Sequence, residues 1–265
     1  MDGDVENAPL TDEQVSDQWK RLADLINKLQ ARTDTKDEFN ARPGSSLTGD
    51  DAWSPPFHVS HAVNACIVAG ADHLHACKTL VVDAHSLHVA APASLIRGSL
   101  ENMAAAFWML HPTSRAERVT RCLRWQMVNA KNARRALAPL DLKDPASYDE
   151  RIATILEVAQ RHPEIDIAAV KRGFTSTAAV TYADEHSGAA LGVLLPWQLC
   201  SGFAHGFTWA NLAFSERVEI PTADPDVFSV RFSTDLTRAL YLVWAATNLT
   251  ESVLKLHAQR STPQY

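Results

Sequence analysis

Leu95-Ile96-Arg97-Gly98-Ser99-Leu100-Glu101-Asn102-Met103-Ala104-Ala105-Ala106-Phe107-Trp108-Met109-Leu110 is the clearest helical signal in the chain. Ile96, Leu100, Met103, Phe107 and Leu110 step by four and three, which lays one apolar stripe along a helix. Pro92 suits the first turn of that helix, and Pro112 stops it. On the flank opposite the stripe, Arg97 and Glu101 stand four residues apart beside Gly98, Ala104, Ala105 and Trp108. Small residues there let a second helix approach closely, and burial would then demand partners for both charges.

The same period extends outward from this helix. Ser114 caps a following helix with Val119, Leu123, Met127, Ala130, Ala133 and Leu137 on one face. Upstream, a helix is expected from Phe57 to about Val82. Ahead of that, Thr11 reads as an N-cap with Asp12 and Glu13 in the first turn, and Trp19, Leu22, Ile26 and Leu29 follow at helical spacing. The Pro-, Gly- and Ser-containing stretch from Ala41 to Pro56 reads as loop, as does Ala138 to Ser147. Shorter helical pieces are expected at Tyr148–Arg161 and Ile165–Gly173. Pro196 opens a further helix expected to run past Ala210. Val218–Ile220 and Phe228–Phe232 alternate around a Pro/Asp turn and predict a β-hairpin. A last helix carries Leu236, Leu240, Val243, Thr247, Thr250 and Leu254. Long helices joined by short loops make the expected class all-α: a multi-helix bundle with a small β-hairpin near 218–232. Residues 1–10 lack periodicity and read as a disordered leader, with 11–265 as a single helical domain.

The 265 residues are 46% hydrophobic and 21% charged, a composition able to bury a sizeable core, and the net charge of −6 argues against generic nucleic-acid or membrane binding. The acidic N-terminus has no basic or apolar leader region, and the apolar stretches read as far short of the ~20 residues that span a bilayer, so a cytoplasmic protein is expected. Cys66, Cys77, Cys122 and Cys200 sit singly among apolar neighbours, with no CxxC pair, which fits buried free thiols.

Local patterns point to chemistry that the whole-chain charge does not. Between Arg97 and Arg135 eight basic residues face two acidic ones. Arg118, Arg121, Arg124, Lys131 and Arg135 follow one another on the Ser114-capped helix, either as a solvated face or as a surface for RNA or another anion. Ser201-Gly202-Phe203-Ala204-His205-Gly206 places Ser201 and His205 on one side of a helix, with glycines opening space around the imidazole. Arg97, Glu101, Ser201 and His205 are therefore the candidate catalytic residues, and Arg97, Glu101 and His205 are expected in one polar cluster.

Six histidines lie between His58 and His88, but their i,i+2 and i,i+3 spacings do not match a helical metal site, so neither metal nor other cofactor is expected. Asn211, Ser215 and Glu219 match the N-x3-S-x3-E spacing of a class I terpene-cyclase magnesium–diphosphate site. Glu219 sits in a strand-like segment, and no facing DDxxD accompanies it.

Ala71-Asp72-His73-Leu74, Leu95–Glu101, Trp108-Met109-Leu110, Arg118–Arg124 and Ser201–Gly206 together resemble a group of uncharacterised actinobacterial helical proteins, related in pattern to HEPN-like domains of unknown function. An R-x3-E helix and a distant S-x3-HG carry the resemblance, over about Asp72 to Gly206. It implies a helical bundle, frequent homodimerisation, and association with defence or toxin–antitoxin systems. HEPN ribonucleases use R-x4–6-H on one helix, and no arginine here has a histidine five to seven positions later. The expected function is thus binding of RNA or another anionic ligand without efficient nuclease activity. The alternatives are a small-molecule enzyme with a polar pocket in the bundle and a non-catalytic interaction subunit.

Overall fold

The computed structural model describes residues 10–140 and 146–263. Eleven α-helices and one hairpin follow in order: α1 (Asp12–Thr33), α2 (Ser46–Trp53), α3 (Val59–Lys78), α4 (Ala91–Leu110), α5 (Arg115–Leu137), α6 (Ala146–Gln160), α7 (Ile167–Arg172), α8 (Ser176–His186), α9 (Leu194–Ala204), α10 (Thr208–Phe214), β1 (Glu216–Pro221), β2 (Phe228–Ser233) and α11 (Leu236–Ser261). Of the expected leader, only Leu10 falls within the described residues.

α4 is the central helix. Its last eight residues, Met103 to Leu110, are all buried, including the flank opposite the stripe. A helix apolar all round belongs inside, and α3, α5, α8, α9 and α11 pack against it. Fully burying side chains such as Leu100, Met103 or Leu110 stabilises by roughly 1.5–3 kcal/mol each. One continuous core runs from Val15 in α1 to Val253 in α11.

Caps set the boundaries. The Thr11 side chain accepts from Gln14 N–H while Gln14 returns a bond to Thr11 N–H, a full capping box. Ser114 caps α5 through Glu117 N–H, as its sequence position predicts.

Several expectations need correction. The stretch from Ala41 to Pro56 contains α2, capped by Ser45 through Thr48 N–H. Thr175 caps α8, which the apolar pattern had not revealed. α3 gives way at Thr79 to a π-helical turn, Thr79–Asp83. Val59–Asp83 is also 25 residues long and apolar enough, by length and composition alone, to cross a membrane. In this fold Val63, Ile67 and Leu74 are fully buried in the core.

The helix expected from Pro196 past Ala210 is two helices. α9 stops at His205 because Gly206 takes a left-handed φ of +67°. Gly206 N–H bonds the Phe203 carbonyl and Phe207 N–H the Gly202 carbonyl, the two bonds of a Schellman cap. The β-hairpin pairs Glu216 with Ser233 through Pro221 with Phe228 and is exposed along nearly its whole length.

Candidate functional site

α4 and α9 bring the candidate residues together by antiparallel packing. Arg97 and Glu101 lie one turn apart on α4. Trp197, Ser201 and His205 lie at successive turns along α9. Glu101 Oε1 accepts the Arg97 Nε–H at 2.9 Å and the Trp197 Nε1–H at 2.9 Å. Arg97 Nη1 donates to His205 Nε2 at 3.0 Å. A guanidinium can only donate, so a neutral imidazole here carries its proton on Nδ1. Ser201 lies between Trp197 and His205 in sequence and accepts the His205 N–H through its carbonyl at 3.1 Å. Its hydroxyl makes no hydrogen bond to the described residues.

The glycines of this region have separate reasons. A Cβ on Gly98 would fall 1.7 Å from the His73 ring, so glycine lets α3 seat its imidazole against the α4 backbone. A Cβ on Gly202 would fall 2.5 Å from Ala210 and 2.9 Å from Trp209, so glycine lets α10 lie against α9. Gly206 meets nothing; its left-handed backbone ends α9 and leaves His205 at the helix end. A cation at that end also suits the dipole, and Arg97 is there.

The cluster is half-buried. The Arg97 and Glu101 side chains are 28% and 26% exposed, and His205 is exposed. Beside it stand two open aromatic rings, Phe207 at 54% and Trp209 at 46%. The His205 and Phe207 ring centroids are 5.7 Å apart.

The basic residues of α5 do not share one exposed face. Arg118 is 2% exposed and all five of its N–H groups are engaged. Nε and Nη2 hold the Asp50 carboxylate (2.6 and 2.7 Å), Nη2 also donates to Ser46 Oγ, and Nη1 to the Pro112 and Thr113 carbonyls. Arg121 donates to Glu117 and to the Trp108 carbonyl, with its guanidinium 4.3 Å from the Tyr182 ring centroid. Arg124 donates to the Gly173 carbonyl and lies over Trp108 at 4.9 Å. Only the far end of the run is open: Lys131, which donates to the Lys171 carbonyl, and Arg135 are exposed. The spacing of these arginines turns the first three onto the flank that α2, α4, α7 and α8 cover.

The remaining sequence patterns separate in space. Asn211 lies in α10, Ser215 is its extended C-cap, and Glu219 is in β1, so they never share a helical face. Among the described residues no group of three or more His, Cys, Asp and Glu side chains is placed to hold a metal ion. All four cysteines are free and buried; burial pushes the Cys66 and Cys77 thiols up to about 12 and raises Cys122 and Cys200 as well.

Two constellations have no counterpart in the sequence reading. One is the Asp50–Arg118 pair, whose acid lies in a segment read as loop. The other surrounds Tyr182 on α8, whose hydroxyl lies 2.8 Å from His111 Nδ1 and whose ring stacks on His186 at 4.1 Å. The i,i+4 spacing of Tyr182 and His186 was the available signal. No protein-family model, curated protein or solved structure matches this chain.

Proposed function

We propose that this chain binds a flexible anionic polymer, single-stranded RNA, at the Arg97–His205 pair without cleaving it. The observation that carries the reading is the 3.0 Å contact between Arg97 and His205 beside two exposed aromatic rings. Arg97 Nη2 and the His205 Nδ1–H remain as donors for a phosphate, and Glu101 with Trp197 fixes the guanidinium. Phe207 and Trp209 supply faces on which bases stack, an interaction worth roughly 1–3 kcal/mol per base and tolerant of sequence. Phosphate neutralisation makes such binding fall steeply with salt.

Cleavage asks for more. A general base must have its nitrogen free toward the reacting oxygen, and His205 Nε2 is held by Arg97. The single-helix arrangement of HEPN nucleases is also missing. A HEPN-like, defence-associated role is therefore proposed as a binding one, in the cytoplasm. Fluorescence anisotropy with a labelled single strand of about a dozen nucleotides tests it. Saturable binding that weakens with added salt, with the RNA staying full length, is expected. Absence of binding at low salt would overturn it, and so would cleavage abolished by His205→Ala with folding intact.

A homodimer is part of the proposal, through the hairpin. A two-stranded hairpin is marginal alone, yet this one leaves Val218 60% and Phe228 57% exposed. Arg217-Val218-Glu219 is self-complementary: in an antiparallel pairing of β1 with its copy about Val218, each Arg217 faces the other Glu219. Light scattering after size exclusion checks this, and a dimer dissociated by Val218→Lys is expected.

A further inference from the structure

At the opposite end of α4 from Arg97, roughly 21 Å along the helix axis for fourteen residues, lies a second polar site. A cavity of about 440 Å³ opens between the ends of α4 and α8 and the second half of α11, lined by Phe107, His111, His186, Asn248, Lys255 and Gln259 among others. Its volume is in the range of small-molecule sites.

Its groups are held from several elements. His186 Nδ1–H donates to the Tyr182 carbonyl at 2.9 Å, because a carbonyl can only accept, so a neutral His186 keeps Nε2 free. The His186 ring lies parallel to Tyr182 at 4.1 Å and 5.5 Å from the His111 ring. Tyr182 and His111 are joined through the 2.8 Å hydroxyl contact. From α5, Arg121 sits over Tyr182; from α11, Arg260 Nη2 donates to the Pro112 carbonyl at 3.1 Å. Arg260 Nε is buried with no hydrogen-bond partner among the described residues. Lys255 pairs with Glu251 at 2.8 Å, and Glu185 lies 3.9 Å from His186. Arg121 is paired with Glu117 at 2.7 Å, so Arg121, Arg260 and Lys255 are matched in number by Glu117, Glu251 and Glu185, while Arg260 makes no ion pair among the described residues.

We infer that this cavity binds a small organic oxyanion, a phosphate or carboxylate, against His186 and His111, independently of the Arg97–His205 site. Burial, together with the positive charge of His186, Arg121 and Arg260, holds the His111 imidazole below its ordinary range. An anion beside it adds a counter-charge next to the imidazole and favours the protonated ring. Asn248 and Gln259 offer neutral hydrogen bonds to the rest of the ligand.

The test follows the histidine ring protons by NMR as pH is varied, with inorganic phosphate, acetate or no addition in matched ionic strength. Phosphate or acetate is expected to raise the His111 midpoint by about one pH unit, saturably in the millimolar range. A response to phosphate alone assigns a phosphate group, and a response to acetate as well assigns a general oxyanion site. Arg97→Ala should leave the response unchanged, whereas His186→Ala, on an exposed helix end, should abolish it while circular dichroism stays native. No movement of His111 or His186 with either anion at tens of millimolar would overturn the inference. So would an undiminished response in folded His186→Ala protein.

Discussion

Asp50–Arg118 and Glu101–Arg97 are both arginine–carboxylate pairs, and they differ in what surrounds them. The first joins α2 to α5 with side chains 0% and 2% exposed, and every guanidinium N–H is taken. The second joins successive turns of α4, about a quarter exposed, and leaves part of its guanidinium facing solvent beside His205. A fully satisfied buried pair fixes where a short helix docks and has nothing left for a ligand. A half-buried pair held from behind by Trp197 presents a positioned cation. Environment, rather than residue type, separates an architectural arginine from one able to bind.

Breaking the buried pair should have the largest effect. Asp50→Ala leaves the Arg118 charge uncompensated in the interior and is expected to destabilise by about 3–5 kcal/mol in urea denaturation. A loss below about 1 kcal/mol would show that water reaches Arg118 and would remove the contrast. Glu101→Ala should fall between the extremes of a buried and a solvated pair. It takes away the acceptor of two hydrogen bonds in a partly solvated place, for a loss of about 1–2 kcal/mol. A loss equal to that of Asp50→Ala would make the two clusters alike.

The histidines sharpen the comparison through pH. His257 on α11 is 5% exposed, its Nε2 is buried with no partner among the described residues, and burial lowers its pKa; a bond to the Phe39 backbone opposes this and Arg32 reinforces it. His111 is lowered too. For a histidine lowered on folding, the unfolded chain binds the proton first. Stability is therefore full above the unfolded value of about 6.5 and is lost as pH falls below it toward the folded value. Thermal unfolding temperatures should decline from pH 7 to pH 5, and His257→Phe should flatten that decline. A decline unchanged by this substitution would place the titrating group elsewhere. His205→Ala removes an exposed side chain and should have the smallest effect, leaving the unfolding temperature at pH 7 close to the parent's.

Much of this was legible in the sequence where local pattern and tertiary role agree. The four-and-three stepping of Ile96 to Leu110 identified the central helix, and the glycine-bordered Ser201–Gly206 string pointed to His205. The Arg97–Glu101–His205 cluster was expected from the small neighbours of each residue. α2 and α8 were not legible, because eight and eleven residues with weak apolar patterning are helical through caps and packing as much as through their own periodicity. The basic run misled for a related reason. Counting charge along α5 cannot reveal that Asp50, the Trp108 carbonyl and the Gly173 carbonyl wait on the flank where Arg118, Arg121 and Arg124 fall.

The central claim is that ligand binding belongs to the half-buried cluster and not to the arginines of α5. It is tested most directly by comparing two double variants, Arg97→Ala/His205→Ala and Lys131→Ala/Arg135→Ala, in anisotropy titrations with the same single-stranded RNA across a salt series. The first should lose at least about tenfold in affinity, equivalent to 1.4 kcal/mol, and show a shallower salt slope, with the second close to the parent. Loss confined to the Lys131/Arg135 variant would contradict the account.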